Sequence, residues 1–129
     1  IILCRNYNEG SGEFQNWEKR KKKLFELVAQ KVISEWNKNN NCLLVLGATY
    51  PDELKSIRKI SNNMFFLVPG IGAQGGDLEK TLQAGLNSQK SGLIINSSRG
   101  IIFADNSKNF ASVARTETEK LKNEINKYR

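Results

Sequence analysis

The segment "MFFLVPGIGAQGGD", Met64–Asp77, decides between two kinds of α/β protein. Its apolar start, Met64 to Val68, reads as a buried strand. Pro69 ends that run, and Gly70, Gly72 and Gly75 follow with the spacing G-x-G-x-x-G. In an open dinucleotide-binding sheet this spacing belongs to the first βα unit, and an acid about twenty residues later holds the ribose. Neither condition is met here. Other strand patterns precede Met64, and the chain about twenty residues beyond Gly75 reads "INSSRG", with Arg99 in place of a carboxylate. A (β/α)8 barrel offers another use for such glycines: a phosphate held between the loops of its last two strands.

Working outward, the pattern repeats. "IILC" at 1–4, "CLLVLGA" at 42–48 and "GLIINS" at 92–97 are further short apolar runs rich in branched residues. Strands this apolar on both faces, with helices between them, predict a parallel sheet joined by crossover helices. The first helix is expected over about 17–36, burying Leu24, Val28, Val32 and Trp36. The second begins at Pro51, with acids in its first turn, and buries Leu54 and Ile57. The third carries Leu78 and Leu82 and stops at Gly85. The last, about 107–128, is expected to bury Phe110, Val113, Ala114, Leu121 and Ile125. Four βα units in 129 residues average about 32 each, close to the roughly 31 of a full barrel. Repeat length does not separate half a barrel from an open doubly wound sheet. Both are single-domain readings of 1–129.

Composition narrows the chemistry. The chain is 39% hydrophobic and 26% charged, as expected of a globular protein. No apolar run is long enough to span a bilayer, no signal peptide is visible, and a cytoplasmic location is expected. The sequence begins at Ile1, directly in a strand pattern, which suggests a fragment or a processed chain. It has no histidine, which rules out Ser-His-Asp and Cys-His nucleophile chemistry within it. Cys4 and Cys42 lie in strand patterns and are expected to be reduced and buried. With no histidine and no C-x-x-C, a transition-metal site is not expected. The net charge of +7 is partly local, in Lys19, Arg20, Lys21, Lys22 and Lys23. Without interleaved aromatics that run is read as a solvated helix face. A nucleic-acid module remains the minority reading.

In either architecture a ligand meets the loops after the strands. Three of these loops, "GATYP", "PGIGAQGGD" and "SSRG", carry glycine where backbone must turn sharply or approach a ligand. Backbone N–H groups can crowd an anion there, Arg99 can clamp it through two hydrogen bonds, and Gln74 can bridge two parts of one ligand.

These loops resemble a known family. "GATYPDELKSIR", "FLVPGIGAQGGDLEKTLQAG" and "GLIINSSRGIIFAD", in that order, resemble the C-terminal half of orotidine 5′-phosphate decarboxylase, in its longer-chain bacterial branch. The likeness runs from about Ile1 to Ala114. It implies a (β/α)8 barrel of which this chain supplies strands five to eight. It implies decarboxylation of orotidine 5′-monophosphate to uridine 5′-monophosphate, without cofactor or metal, in an intact enzyme that is a homodimer. Pro69 would lie beside the pyrimidine, Gln74 would reach the phosphate and the pyrimidine end, and Ser98, Arg99 and Gly100 would hold the phosphate. Ile71 would be an apolar neighbour. Family members often carry Thr-Ser after the first of these strands, where this chain has Asn6 and Tyr7, and proline where it has Glu9. The family's D-x-K-x-x-D network is matched by neither "DELKSIRK" nor "GDLEK", so the catalytic charges are expected in another half. The alternative is a non-catalytic phosphate- or dinucleotide-binding α/β domain.

Overall fold

Strand order settles the architecture. The computed structural model describes residues 1–6, 9–19, 21–72 and 76–129. Four parallel strands, β1 (Ile2–Arg5), β4 (Leu44–Leu46), β5 (Phe66–Val68) and β6 (Leu93–Ile95), lie side by side in that order. A doubly wound sheet reverses direction at a switch point. This sheet never does. Right-handed crossovers that always step the same way place every helix on one face, which is how a barrel is wound.

Burial follows from that winding. Leu44, Leu46, Phe66 and Val68 face the helices and are 0–1% exposed. They pack with Phe25 and Ala29 of α2 (Leu24–Lys31), Leu54 and Ile57 of α3 (Pro51–Ser61), and Ala84 of α4 (Leu78–Gly85). The alternate positions form a second apolar row, Leu3, Val45, Leu67 and Ile94, paired across the sheet. Among the described residues, no helix covers that row. Leu3 is 58% and Ile94 43% exposed.

Local signals explain most boundaries. Pro51 sits in the first turn of α3 with Asp52 and Glu53 beside it, where proline lacks no needed N–H and acids favour the positive helix end. Asp77 caps α4, its carboxylate accepting from Lys80 N at 3.1 Å.

Two expectations need correction. No single helix spans 17–36. Glu18–Lys19 (β2) and Lys22–Lys23 (β3) form a small antiparallel hairpin with Lys21 at φ 62°, so the basic run is not a helix face. Adjacent cations at a helix N-terminus would oppose its dipole. Helix α2 therefore starts at Leu24, where Glu26 accepts from the Lys23 backbone N–H at 2.8 Å. Its end widens into a π-helical turn, Val32–Trp36. The extra residue per turn breaks the spacing of four, and Trp36 is 53% exposed while Val32 is buried.

The last helix, α6 (Phe110–Asn126), has no buried residue. Val113, Ala114, Leu121 and Ile125 are half-covered and Phe110 is exposed. The helix is amphipathic as predicted. It sits at the edge of the array, packed chiefly on the short helix α5 (Ser98–Ile101), with too few neighbours to bury the stripe. Among the described residues, no helix is long and apolar enough to cross a membrane.

Candidate functional site

The loops after β1, β4, β5 and β6 emerge at the carboxyl ends of the strands, and backbone hydrogen bonds stitch neighbours together beyond the sheet. Gly47 N donates to Arg5 O at 3.0 Å, Ala48 N to Pro69 O at 3.0 Å and Asn96 N to Val68 O at 3.5 Å. Pro69 thereby leaves β5 with its carbonyl anchored to the neighbouring loop.

The segment after Pro69 is pinched at its neck. Gly76 N donates to Gly70 O at 3.1 Å, and Gly72 N to Gly76 O at 3.0 Å. Gly70 takes φ 99°, which only glycine adopts easily. A Cβ on Gly76 would strike Gly70 O and lie 2.7 Å from Ala48 Cβ. Two glycines thus make the neck: one turns the chain, the other lets it close against the adjacent loop. Ile71, inside the neck, is 8% exposed. Gln74 lies outside the described residues, as does Tyr7.

The neighbouring strand contributes a helix start. Helix α5 follows Ser97 directly and contains Ser98, Arg99 and Gly100, all exposed. Ile101 N and Ile102 N return to Ser97 O and Ser98 O at 3.1 and 2.8 Å. The N–H groups of 98–100 precede any intrahelical acceptor, as at every helix start. Pro69 and the Ser98-Arg99-Gly100 turn therefore stand on adjacent strands at the same end. An anion there would meet the free backbone N–H groups of the turn.

The loop after β1 was legible only in part. Asn6 opens it, and its backbone N–H donates to Gln15 Oε1 at 2.9 Å. That oxygen also accepts from Arg5 Nη1 at 2.7 Å. Arg5 is 2% exposed and ion-paired to Glu53 at 2.5 Å. Glu53 reaches Lys23 Nζ at 3.2 Å with its other oxygen. Nothing in the residue pattern singled Arg5 out; an arginine closing an apolar run is the trace it left.

Neither cysteine joins this mouth. Cys4 is buried against α2, its thiol donating to Phe25 O at 3.1 Å, and burial pushes its pKa up to about 12. Cys42 is half-buried near the opposite end of the sheet, and both are free thiols. Among the described residues no cluster of three or more His, Cys, Asp or Glu could hold a metal ion.

Sequential parallel strands, helices on one face and glycine loops gathered at the carboxyl ends define part of a (β/α)8 barrel. No family model matches the chain. It is 45% identical over its whole length to an orotidine 5′-phosphate decarboxylase of Azoarcus sp., of which it spans 48%. It is 43% identical to one of Janthinobacterium sp., spanning 47% of it. Among solved structures, UMP synthase of Leishmania donovani superposes on 95% of the chain with a TM-score of 0.81 and 38% identity, the chain covering 27% of it. OMP decarboxylase of the same organism gives a TM-score of 0.79 and 35% identity, with 97% of this chain and 46% of that one covered. Over its whole length the chain is similar to orotidine 5′-phosphate decarboxylases, and it spans about half the length of the curated relatives it matches.

Proposed function

We propose that this chain is the C-terminal half of an orotidine 5′-phosphate decarboxylase, a single 1–129 domain carrying its phosphate-binding loops. The observation that supports this most is likeness over the full chain, in sequence and in fold, to proteins of that name. In the reaction the bond between C6 of the pyrimidine and its carboxylate breaks, CO2 leaves, and C6 takes up a proton to give uridine 5′-monophosphate. The charged groups that promote this step belong to the complementary half, because the matching Lys and Asp network is absent from this sequence. This chain's part is to hold the substrate.

In this reading Arg99, with the Ser98 and Gly100 backbone, clamps the phosphate, Gln74 closes over it, and Pro69 lies beside the pyrimidine. The gripping groups are then remote from the bond that breaks. Binding energy gained at the phosphate serves to close the site around the base. The intact protein is a homodimer and works in the cytoplasm. An open dinucleotide-binding domain fits less well, because its strand order would reverse.

The first test is turnover of orotidine 5′-monophosphate by the 129-residue chain alone and by the chain joined to the complementary half of the Azoarcus relative. Activity is expected only in the joined protein. Its absence there, with the fold intact, would refute the reading. Within the active protein, Arg99→Ala should raise KM for the nucleotide at least about tenfold, as loss of a charge-assisted pair worth about 1.5–3 kcal/mol implies. Turnover of the phosphate-free nucleoside should hardly change. Equal losses on both substrates would remove Arg99 from the phosphate.

A further inference from the structure

We propose that Arg5 is a positioning residue, turned onto the helix face by a bulge in β1 so that it fixes the loop starting at Asn6. Through that loop it sets the grip on the part of the ligand remote from the phosphate. The inference rests on the proposed nucleotide site.

The bulge is the first observation. Simple alternation would send Arg5 to the same face as Leu3, into the barrel interior. The register instead slips between them: Leu3 pairs with Val45, but Arg5 pairs with Leu46, which faces the helices. Cys4 and Arg5 consequently both point toward α2 and α3, and both are buried. Bulges re-aim side chains in this way, often beside functional sites.

What Arg5 meets there is the second observation. Its guanidinium lies 3.9 Å from the centre of the Tyr50 ring. Nε donates to Glu53 at 2.5 Å, while Nη1 donates to Ser11 Oγ at 2.8 Å and to Gln15 Oε1 at 2.7 Å. Gln15 Oε1 also accepts from Asn6 N. A relay therefore runs from Glu53 on α3 through Arg5 and Gln15 to the first loop residue at the mouth. Burying an ion pair is a poor route to stability, since apolar packing of equal volume usually does as well. It does supply fixed geometry, because a planar fork satisfied on three sides has one orientation. Lysine carries the charge but not the fork.

Position gives the relay its meaning. Strand β1 is three places from β6, and strands are about 4.8 Å apart. Asn6 thus stands about 14 Å across the same mouth from the Ser98-Arg99-Gly100 turn. In the proposed site the phosphate sits at β6 and the base beside Pro69 after β5, so the ligand extends from β6 in the direction of β4 and β1.

The test uses the joined, active protein with Arg5→Lys and Glu53→Gln, and ribose 5-phosphate as an inhibitor that lacks the base. For Arg5→Lys the KM for orotidine 5′-monophosphate should rise about tenfold or more, a misplacement effect. The inhibition constant for ribose 5-phosphate should stay within about twofold, and Glu53→Gln should show the same split in milder form. In both variants, amide exchange over residues 6–16 should quicken about tenfold while β4 and β5 keep their protection. Parallel losses for both ligands, or unchanged KM and unchanged exchange, would overturn the role. If the unmutated joined protein proves inactive, the proposed function fails. Exchange over 6–16 then still decides this one, and unaltered exchange in both variants would overturn it.

Discussion

Arg58 shows how one residue can hold together the end of the sheet away from the site. It lies in the last turns of α3 and is 8% exposed. Nε donates to Gly85 O at 2.6 Å, Nη1 to Asn62 O and Met64 O at 2.8 and 2.7 Å, and Nη2 to Gly92 O at 2.9 Å. Its guanidinium stacks 3.7 Å from the Phe66 ring centre. Burial pulls its pKa down to about 10, which leaves it charged at neutral pH. One cation thus satisfies carbonyls from the ends of two helices and the starts of two strands. Arg58→Met should cost about 3–5 kcal/mol in urea unfolding, since buried acceptors lose a charged donor. Ribose 5-phosphate binding by the refolded joined protein should stay unchanged. Cys4 makes a different prediction. Folded, it ionises near 12 against 9.0 for a free thiol, so the unfolded chain loses its proton first. Stability is complete below about pH 9 and falls as pH rises toward 12, by up to about 1.4 kcal/mol per unit. Cys4→Ala should remove that component of the slope, and Ellman's reagent should label Cys42 well before Cys4.

At the level of elements, the pinched loop after β5 is where sequence and geometry meet. The glycine run announced a tight turn. The sequence could not say that Gly76 closes the loop on Gly70 while touching Ala48, because that contact joins loops from different strands. Gly76→Ala should lower stability by about 1–3 kcal/mol through overpacking. It should also raise KM in the joined protein, because the neck joins both ends of the segment that the proposed site uses; an unchanged KM would separate neck from function. The helices divide in the same way. Leu54, Ile57 and Leu82 were legible as buried from periodicity alone, and they are. Trp36 was not, because a π-helical turn shifts the phase of its stripe, and α6 was not, because burial needs neighbours as well as a face.

On the scale of the whole molecule, the sheet has one covered face and one uncovered. Leu3, Val45, Leu67 and Ile94 run across the bare side, and the sheet ends at β1 and β6. Barrels fill such an interior with side chains from all their strands. Alone, the 129-residue chain should therefore associate in a concentration-dependent way in sedimentation velocity and bind a hydrophobic dye. Ile94→Lys should weaken both, and joining the complementary half should abolish both. A monomer at high concentration that binds no dye would contradict this account of the face.

The alternation of apolar runs with amphipathic segments was enough to establish a parallel α/β chain with four βα units. That Pro69, Ser98, Arg99 and Gly100 lie at the carboxyl ends of strands followed from the same alternation. Those features are local, fixed by side-chain period and turn chemistry within a few residues. Strand order, the bulge that turns Arg5 outward, and the joining of Gly47, Ala48 and Asn96 to neighbouring strands came only with the folded chain. Each depends on which distant segments become neighbours, and backbone pairing across a sheet leaves no periodic trace along the chain that makes it.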